Sequence, residues 1–148
     1  MTHPRPILLL SGPNLNLLGE REPDIYGTAT LEDHVTAARA AAAERGYPLE
    51  HLQSNHEGGL IDAIHAARHR CAAVVINAGA FTHYAWAIHD ALAAFDGPVI
   101  ELHLSDPSTR EAWRHLSVIA PVADVCIAGL GGAGYPAAIA AAVERLGG

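Results

Sequence analysis

Glu101 and His103 stand two residues apart near the end of an apolar run, Pro98-Val99-Ile100-Glu101-Leu102-His103-Leu104-Ser105. Positions i and i+2 of a strand share a face, so carboxylate and imidazole point the same way. Burying both at a strand end is costly unless they serve acid–base chemistry. Beyond them, Ser108-Thr109-Arg110-Glu111 has capping-box spacing and predicts a short helix with Arg110 and Arg114 on one face. An acid/base pair, a hydroxyl and two guanidiniums at one strand end describe a pocket for a small anion.

A second reactive pair lies in Gly19-Glu20-Arg21-Glu22-Pro23-Asp24-Ile25-Tyr26-Gly27, a lid loop over about 19–27 with a glycine hinge at each end. Tyr26 follows Arg21 by five residues. A free phenol titrates near ~10, too high for a base at neutral pH. A guanidinium about 4 Å away, at an effective dielectric of roughly 20, favours the phenolate by about 4 kcal/mol. With the lid shut against water, that makes Tyr26 a competent general base.

The elements that must position these groups alternate between strand and helix. Ile7–Leu10 reads as a first strand and is followed by a long loop to Thr30. Thr30 caps a helix with the stripe Leu31, Val35, Ala38 and Ala42, ended by Gly46. Leu49–Gln53 suits a less buried second strand, and the next helix carries Leu60, Ile61, Ile64 and Ala67. Ala72–Ile76 is a third strand. Thr82 is placed to cap the helix of Ile88, Leu92 and Phe95. After the Val99–Leu104 strand comes a fifth, Val122–Ala128, then Gly129–Gly134 and an alanine-rich helix to Arg145. Five alternations predict an α/β fold with a parallel sheet covered on both faces. The expected form is a flavodoxin-like three-layer sandwich, order 2-1-3-4-5, in a single catalytic domain over 1–148 with its site at the carboxyl ends of the strands. Asn14, Asn55-His56-Glu57, Asn77, Thr82-His83 and His103–Ser105 all fall at those ends.

Bulk composition narrows the chemistry. The 148 residues are 50% apolar and 17% charged, which fits a domain with a substantial core. A net charge of −7 argues against nucleic acid or an anionic membrane as partner. No apolar run approaches a membrane span of roughly 18 residues, and Ile7–Leu10 is shorter than a signal-peptide core of roughly 7–15. Cys71 and Cys126 lack C-x-x-C spacing and read as buried reduced thiols, so the expected compartment is the cytoplasm. All nine basic residues are arginine, which excludes Schiff-base chemistry and a P-loop lysine together.

Gly12-Pro13-Asn14-Leu15-Asn16-Leu17-Leu18-Gly19, Arg21-Glu22-Pro23 and Tyr26-Gly27 resemble the opening signature of the type II 3-dehydroquinate dehydratases. The resemblance continues through Gln53–Gly58, Thr82-His83 with Asp90-Ala91, Glu101–Ser105, Arg110-Glu111 with Arg114-His115, and Gly129–Gly131 with Gly134-Tyr135. It implies reversible anti elimination of water from 3-dehydroquinate through an enolate, giving 3-dehydroshikimate, a step of the shikimate pathway to aromatic amino acids. It implies no metal, cofactor or covalent intermediate, and a homododecamer built as a tetramer of trimers.

In residue terms, the resemblance implies Tyr26 as the base at C2, tuned by Arg21, and a water near Asn14 holding the enolate. His103 would be the acid at the leaving hydroxyl, oriented by Glu101. Asn77, His83 and Arg114 would bind ring hydroxyls, and Leu104 and Ser105 the carboxylate. Asp90, which faces away from the Ile88–Leu92 stripe, would reach a neighbouring subunit's site. The chain departs from the family pattern at Tyr84-Ala85-Trp86, His89 and Asp106.

Three other readings compete, and a receiver-type signalling domain falls first, since strand one ends without acids and lysine is missing. Gly129-Leu130-Gly131-Gly132-Ala133-Gly134 fits G-x-G-x-x-G and would suit a nucleotide- or flavin-binding module, but no strand with an acidic residue follows it. Close helix–strand packing is the better use of those glycines. His65 and His69 lie four apart on a helix, without the intervening glutamate of a metal motif.

Overall fold

A computed structural model describes residues 3–148. Five strands form one parallel sheet: β1 (Ile7–Ser11), β2 (Leu49–Gln53), β3 (Ala73–Asn77), β4 (Val99–Leu102) and β5 (Val125–Ile127), in the order β2-β1-β3-β4-β5. The order and the parallel pairing are those expected from the alternation. β1, β3 and β4 are buried at every position, whereas edge strands β2 and β5 are partly open. This is the pattern of a parallel sheet covered on both sides.

Helices supply the covers. α1 (Pro23–Tyr26) is a single turn, α2 (Leu31–Glu44) and α5 (Gly134–Arg145) pack on one face, and α3 (Glu57–Ala67) and α4 (Trp86–Ala93) on the other. Ile7, Leu9, Val75, Ile100 and Leu102 face α2 and α5, and Leu8, Leu10, Val74, Ile76 and Val99 face α3 and α4. Each such leucine or isoleucine contributes about 1.5–3 kcal/mol by leaving water. Thr30 caps α2 in a reciprocal capping box with Asp33.

The chain leaves β1 toward β2 on one side and returns to β3 on the other. The strand order therefore reverses between β1 and β3, where side chains at the carboxyl edge have room to face a ligand. Gly12 closes this point. Its N–H donates to Asn77 O at 2.8 Å, and a Cβ there would lie 2.3 Å from the Ala78 carbonyl oxygen. Gly134 packs α5 against the sheet, since a Cβ on it would lie 3.0 Å from Leu102 Cδ1. The glycines after β5 thus serve packing and a 3₁₀ turn, Gly131–Ala133.

Several expected boundaries are corrected. The lid is not without structure: it contains α1 between Gly19 (φ +92°) and Gly27 (φ +83°). Thr82 does not cap α4. It is buried in a 3₁₀ turn, Gly79–His83, and its hydroxyl has no hydrogen-bond partner. The helix expected after Ser108 is replaced by two 3₁₀ turns, Pro107–Thr109 and Ala112–Arg114, broken by extended backbone at Arg110. Asp106 intercepts the Ser108 N–H and hydroxyl, so the Ser108–Glu111 box never forms. The fifth strand starts at Val125 because Pro121 sits in a 3₁₀ turn, Ala120–Val122. Cys71 is buried as expected, but Cys126 is exposed because it lies on the edge strand.

Gly12→Ala drives a methyl into a backbone carbonyl that cannot retreat without parting β1 from β3. We expect a loss of roughly 1–3 kcal/mol in a denaturant titration, the scale of core overpacking.

Candidate active site

One cleft lies at the carboxyl edge of β1, β3 and β4. Its lining includes Asn14, Arg21, Tyr26, Asn77, His83, His103, Leu104, Ser105, Arg110 and Arg114. Ten of the twelve sequence-predicted site residues are therefore brought together. Glu101 sits beneath His103, and Asp90 lies on the exposed side of α4, away from the cleft.

Glu101 anchors the floor. Its side chain is 3% exposed, and its Oε2 accepts hydrogen bonds from His103 Nε2 and Ser117 Oγ, both at 2.7 Å. Burial pushes the Glu101 carboxyl up, but the bonds from His103 and Ser117 outweigh it and hold the carboxyl below the usual range. The group is thus a carboxylate at neutral pH and can only accept, so His103 Nε2 carries a hydrogen and Nδ1 is the ring's other functional atom.

The next imidazole is fixed by similar logic. His83 Nδ1 lies 2.7 Å from the Leu116 carbonyl oxygen, which can only accept, so Nδ1 is the donor. Burial, with the nearby His103 and Arg114, pushes the His83 pKa down against the Leu116 bond. A neutral ring with Nδ1–H offers an Nε2 lone pair to a hydroxyl donor.

The irregular segment after β4 is tied down by side chains. Besides the His83 bond, His89 Nδ1 meets Val118 O at 2.7 Å and His115 Nε2 meets Arg110 O at 3.0 Å. Leu104 and Ser105 are pinned by their carbonyls, which accept from Gly131 N at 2.9 Å and Gly129 N at 3.2 Å. These contacts hold Arg110, Arg114 and Ser117 in place without a regular helix.

Arg110, rather than Arg21, is the cation at the phenol oxygen. Its Nη1 donates to Tyr26 Oη at 2.8 Å and lies 3.3 Å from Ser105 Oγ. Arg21 and Arg110 each place Cζ 5.2 Å from the Tyr26 ring centroid, in cation–π range. Arg21 also pairs with Glu22 at 3.2 Å, and Arg114 with Glu111 at 2.5 Å. Both carboxylates are exposed, so these pairs are weak and an entering anion displaces them at little cost.

Sequence reasoning overlooked three supports. Ser117 gives no local signal, because only the fold brings it beneath Glu101. Tyr135, 1% exposed, stacks on His34 with centroids 4.8 Å apart and planes 4° off parallel. Its phenol is pushed up to about 12 by burial, countered by the Asn77 side chain, which approaches without completing a hydrogen bond. Ser11 faces the same side as Asn77, its register partner, and its Oγ lies 2.9 Å from His51 Nε2.

The electrostatics of Glu101 set an acid limit. Because its native pKa is depressed, its ionised form contributes stability above the ordinary carboxylate range, and that contribution is lost as pH falls through the native value. Below about pH 5 the melting temperature of wild type should fall more steeply than that of Glu101→Gln. At pH 7 the variant should be roughly 1–3 kcal/mol less stable, both read by thermal melts.

Comparison with known proteins identifies the family. A family model described as Dehydroquinase class II matches residues 5–143. The 3-dehydroquinate dehydratase of Jannaschia sp. is 53% identical over 140 residues, covering 95% of each chain. Catabolic 3-dehydroquinase 2 of Aspergillus flavus is 54% identical over 140 residues, covering 95% of this chain and 93% of that one. The crystal structure of type II dehydroquinase from Butyrivibrio crossotus superposes with a TM-score of 0.91 at 42% identity, covering 95% of this chain and 98% of that one. The chain, with its 2-1-3-4-5 sheet and its cleft at the strand ends, belongs to the class II dehydroquinase family.

Proposed function

We infer that this chain is a hydro-lyase that dehydrates 3-dehydroquinate to 3-dehydroshikimate, reversibly. The observation that carries the mechanism is one cleft holding a phenol bound to a guanidinium and an imidazole anchored on a buried carboxylate. We further propose that these two groups act as base and acid in an anti elimination.

The steps follow from the donors and acceptors present. Tyr26, as phenolate, takes the proton at C2, where a neighbouring ketone makes the resulting carbanion an enolate. Arg110 at the phenol oxygen and Arg21 over the ring stabilise the phenolate by charge before the proton is taken. The enolate oxygen is held by a water beside Asn14. When the enolate collapses, the C1 hydroxyl leaves and takes a proton from His103, so the products are water and an enone. Glu101 stabilises the imidazolium and keeps its ring oriented. Asn77, the neutral His83 and Arg114 hold ring hydroxyls, and Leu104 and Ser105 receive the carboxylate.

No step requires an imine, and the chain has no lysine to form one. The single catalytic domain spans residues 1–148 in this reading. The same elimination serves aromatic amino acid biosynthesis through the shikimate pathway and the breakdown of quinate. No described helix is long and apolar enough to cross a membrane. The cytoplasm is the compartment we propose.

We also propose the homododecamer, a tetramer of trimers, with Asp90 entering a neighbour's cleft. The support is local: Asp90 lies one helical turn beyond Trp86 on α4, and Tyr84, Trp86, Trp113 and Leu116 are 51–60% exposed. Trp113 meets His83 edge-on at 5.3 Å, so this apolar surface adjoins the cleft. Sedimentation should return a dodecamer. Trp86→Asp should dissociate it and depress turnover; a dissociated chain with full turnover would sink the Asp90 assignment.

The decisive assay adds 3-dehydroquinate and follows the ultraviolet absorbance of the conjugated product, with borohydride leaving the enzyme active. Tyr26→Phe should reduce kcat by at least about 10²-fold, the scale of a general base, with substrate affinity retained. His103→Ala should lower kcat far more than it raises KM, since its proton is delivered only in the transition state. A variant with a raised KM and intact kcat would contradict the role given to that residue.

A further inference from the structure

Glu101 and Cys126 are register partners on β4 and β5, and His103 lies two residues beyond Glu101. Adjacent strands are about 4.8 Å apart, so three side chains on one face of this strand pair converge. A carboxylate oxygen, an imidazole nitrogen and a sulfur, one from each residue, lie within 4.8 Å of one another. No other such trio occurs among the described residues. Glu101 retains a buried oxygen, Oε1, with no hydrogen-bond partner. Glu101 and His103 are buried while Cys126 is exposed, so an ion entering from solvent reaches the thiol first.

These donors match one class of ligand. Tetrahedral zinc takes sulfur at about 2.3 Å and nitrogen or oxygen at about 2.0–2.2 Å, which sets ligands roughly 3.3–3.8 Å apart. To meet that spacing the His103–Glu101 pair, 2.7 Å apart, must open by roughly half an ångström, and the widest separation, 4.8 Å at most, must close by about 1.0–1.5 Å. Sulfur with imidazole selects zinc and cadmium over magnesium or calcium, which prefer oxygen alone.

We propose that Cys126, His103 and Glu101 bind one thiophilic divalent cation, leaving the fourth position to water, and that the bound ion inhibits the enzyme. The ion takes the place of the hydrogen between His103 Nε2 and Glu101 Oε2; that hydrogen is carried on Nδ1 instead, and the thiol proton is released to solvent. With Nε2 bound to the metal, His103 keeps only a neutral ring with Nδ1–H and cannot form the imidazolium that protonates the leaving hydroxyl. This inhibitory half rests on His103 being the acid; the binding half does not. Cys126 does not line the substrate cleft, so its replacement by the similarly sized serine should leave basal turnover unchanged.

The test uses the intact, chelator-stripped enzyme and its Cys126→Ser and Cys71→Ala variants. Cadmium should give an ultraviolet sulfur-to-metal charge-transfer band saturating at one ion per chain in wild type and Cys71→Ala, and no band in Cys126→Ser. Zinc should suppress turnover of wild type reversibly, with chelator restoring it. Cys126→Ser should need at least about tenfold more zinc, the scale at which even outer-shell changes act on metal affinity. Absence of the band, or equal zinc sensitivity in wild type and Cys126→Ser, overturns the proposal. A band with turnover unchanged also overturns it. In that case near-normal turnover of His103→Ala would place the error in the acid assignment, and its loss would show that the ion does not hold His103.

Discussion

A carboxylate buried at the end of a central strand constrains the rest of the site. Glu101 is held ionised although its side chain is 3% exposed, so the surrounding chain must supply donors to it. His103 supplies one from the same strand, and Ser117 supplies the second. To bring Ser117 there, the chain after β4 turns back through two 3₁₀ turns, and that excursion carries Arg110 and Arg114 to the cleft rim. Removing one donor leaves a buried charge underpaired, which costs more than an ordinary hydrogen bond. The same requirement that keeps the carboxylate paired therefore sets the orientation of His103 and the course of the arginine segment.

The second constraint links two stretches far apart in sequence. Tyr26 ends the short α1 in the lid, and Arg110 lies in the segment after β4, yet they meet at 2.8 Å. Glycines with positive φ stand on both sides of α1, so the lid can move as a small rigid piece about two hinges. Docking that piece against Arg110 brings phenol and guanidinium together in a single contact. Arg110 also reaches Ser105, so lid, guanidinium and the loop after β4 are one connected unit.

The sheet was legible in the sequence because apolar runs and helical stripes alternate five times, and burial imposes those periods directly. β2 is found at the expected Leu49–Gln53, and Val35, Ala38 and Ala42 line the buried side of α2. Local spacing misled where polar side chains compete for backbone donors. Asp106 takes the N–H that a Ser108 cap would have needed, and Thr82 is buried rather than capping. The Glu101–His103 pair was readable because its geometry is local to one strand. The Arg110–Tyr26 bond was not, since a five-residue spacing inside the lid favoured Arg21 and only tertiary packing brings residue 110 to the phenol. Cys126 was misjudged for a related reason: apolar neighbours in sequence do not reveal that β5 is the edge of the sheet.

Charge distribution joins these features. The chain carries a net charge of −7, yet three of its nine arginines, Arg21, Arg110 and Arg114, converge on one cleft. Their charge is softened by Glu22 and Glu111, both exposed and only weakly bound. The guanidiniums of Arg110 and Arg114 are themselves largely buried, so their attraction for an anion inside the cleft is less screened than at the open surface. An acidic protein can in this way bind an anionic substrate: the global field disfavours anions at long range, where salt screens it over roughly 8–10 Å, and the local arginines act inside that distance. Lysine would supply the charge, but not a planar donor that bonds Tyr26 while reaching Ser105. The all-arginine composition thus suits a site whose cations must orient as well as attract.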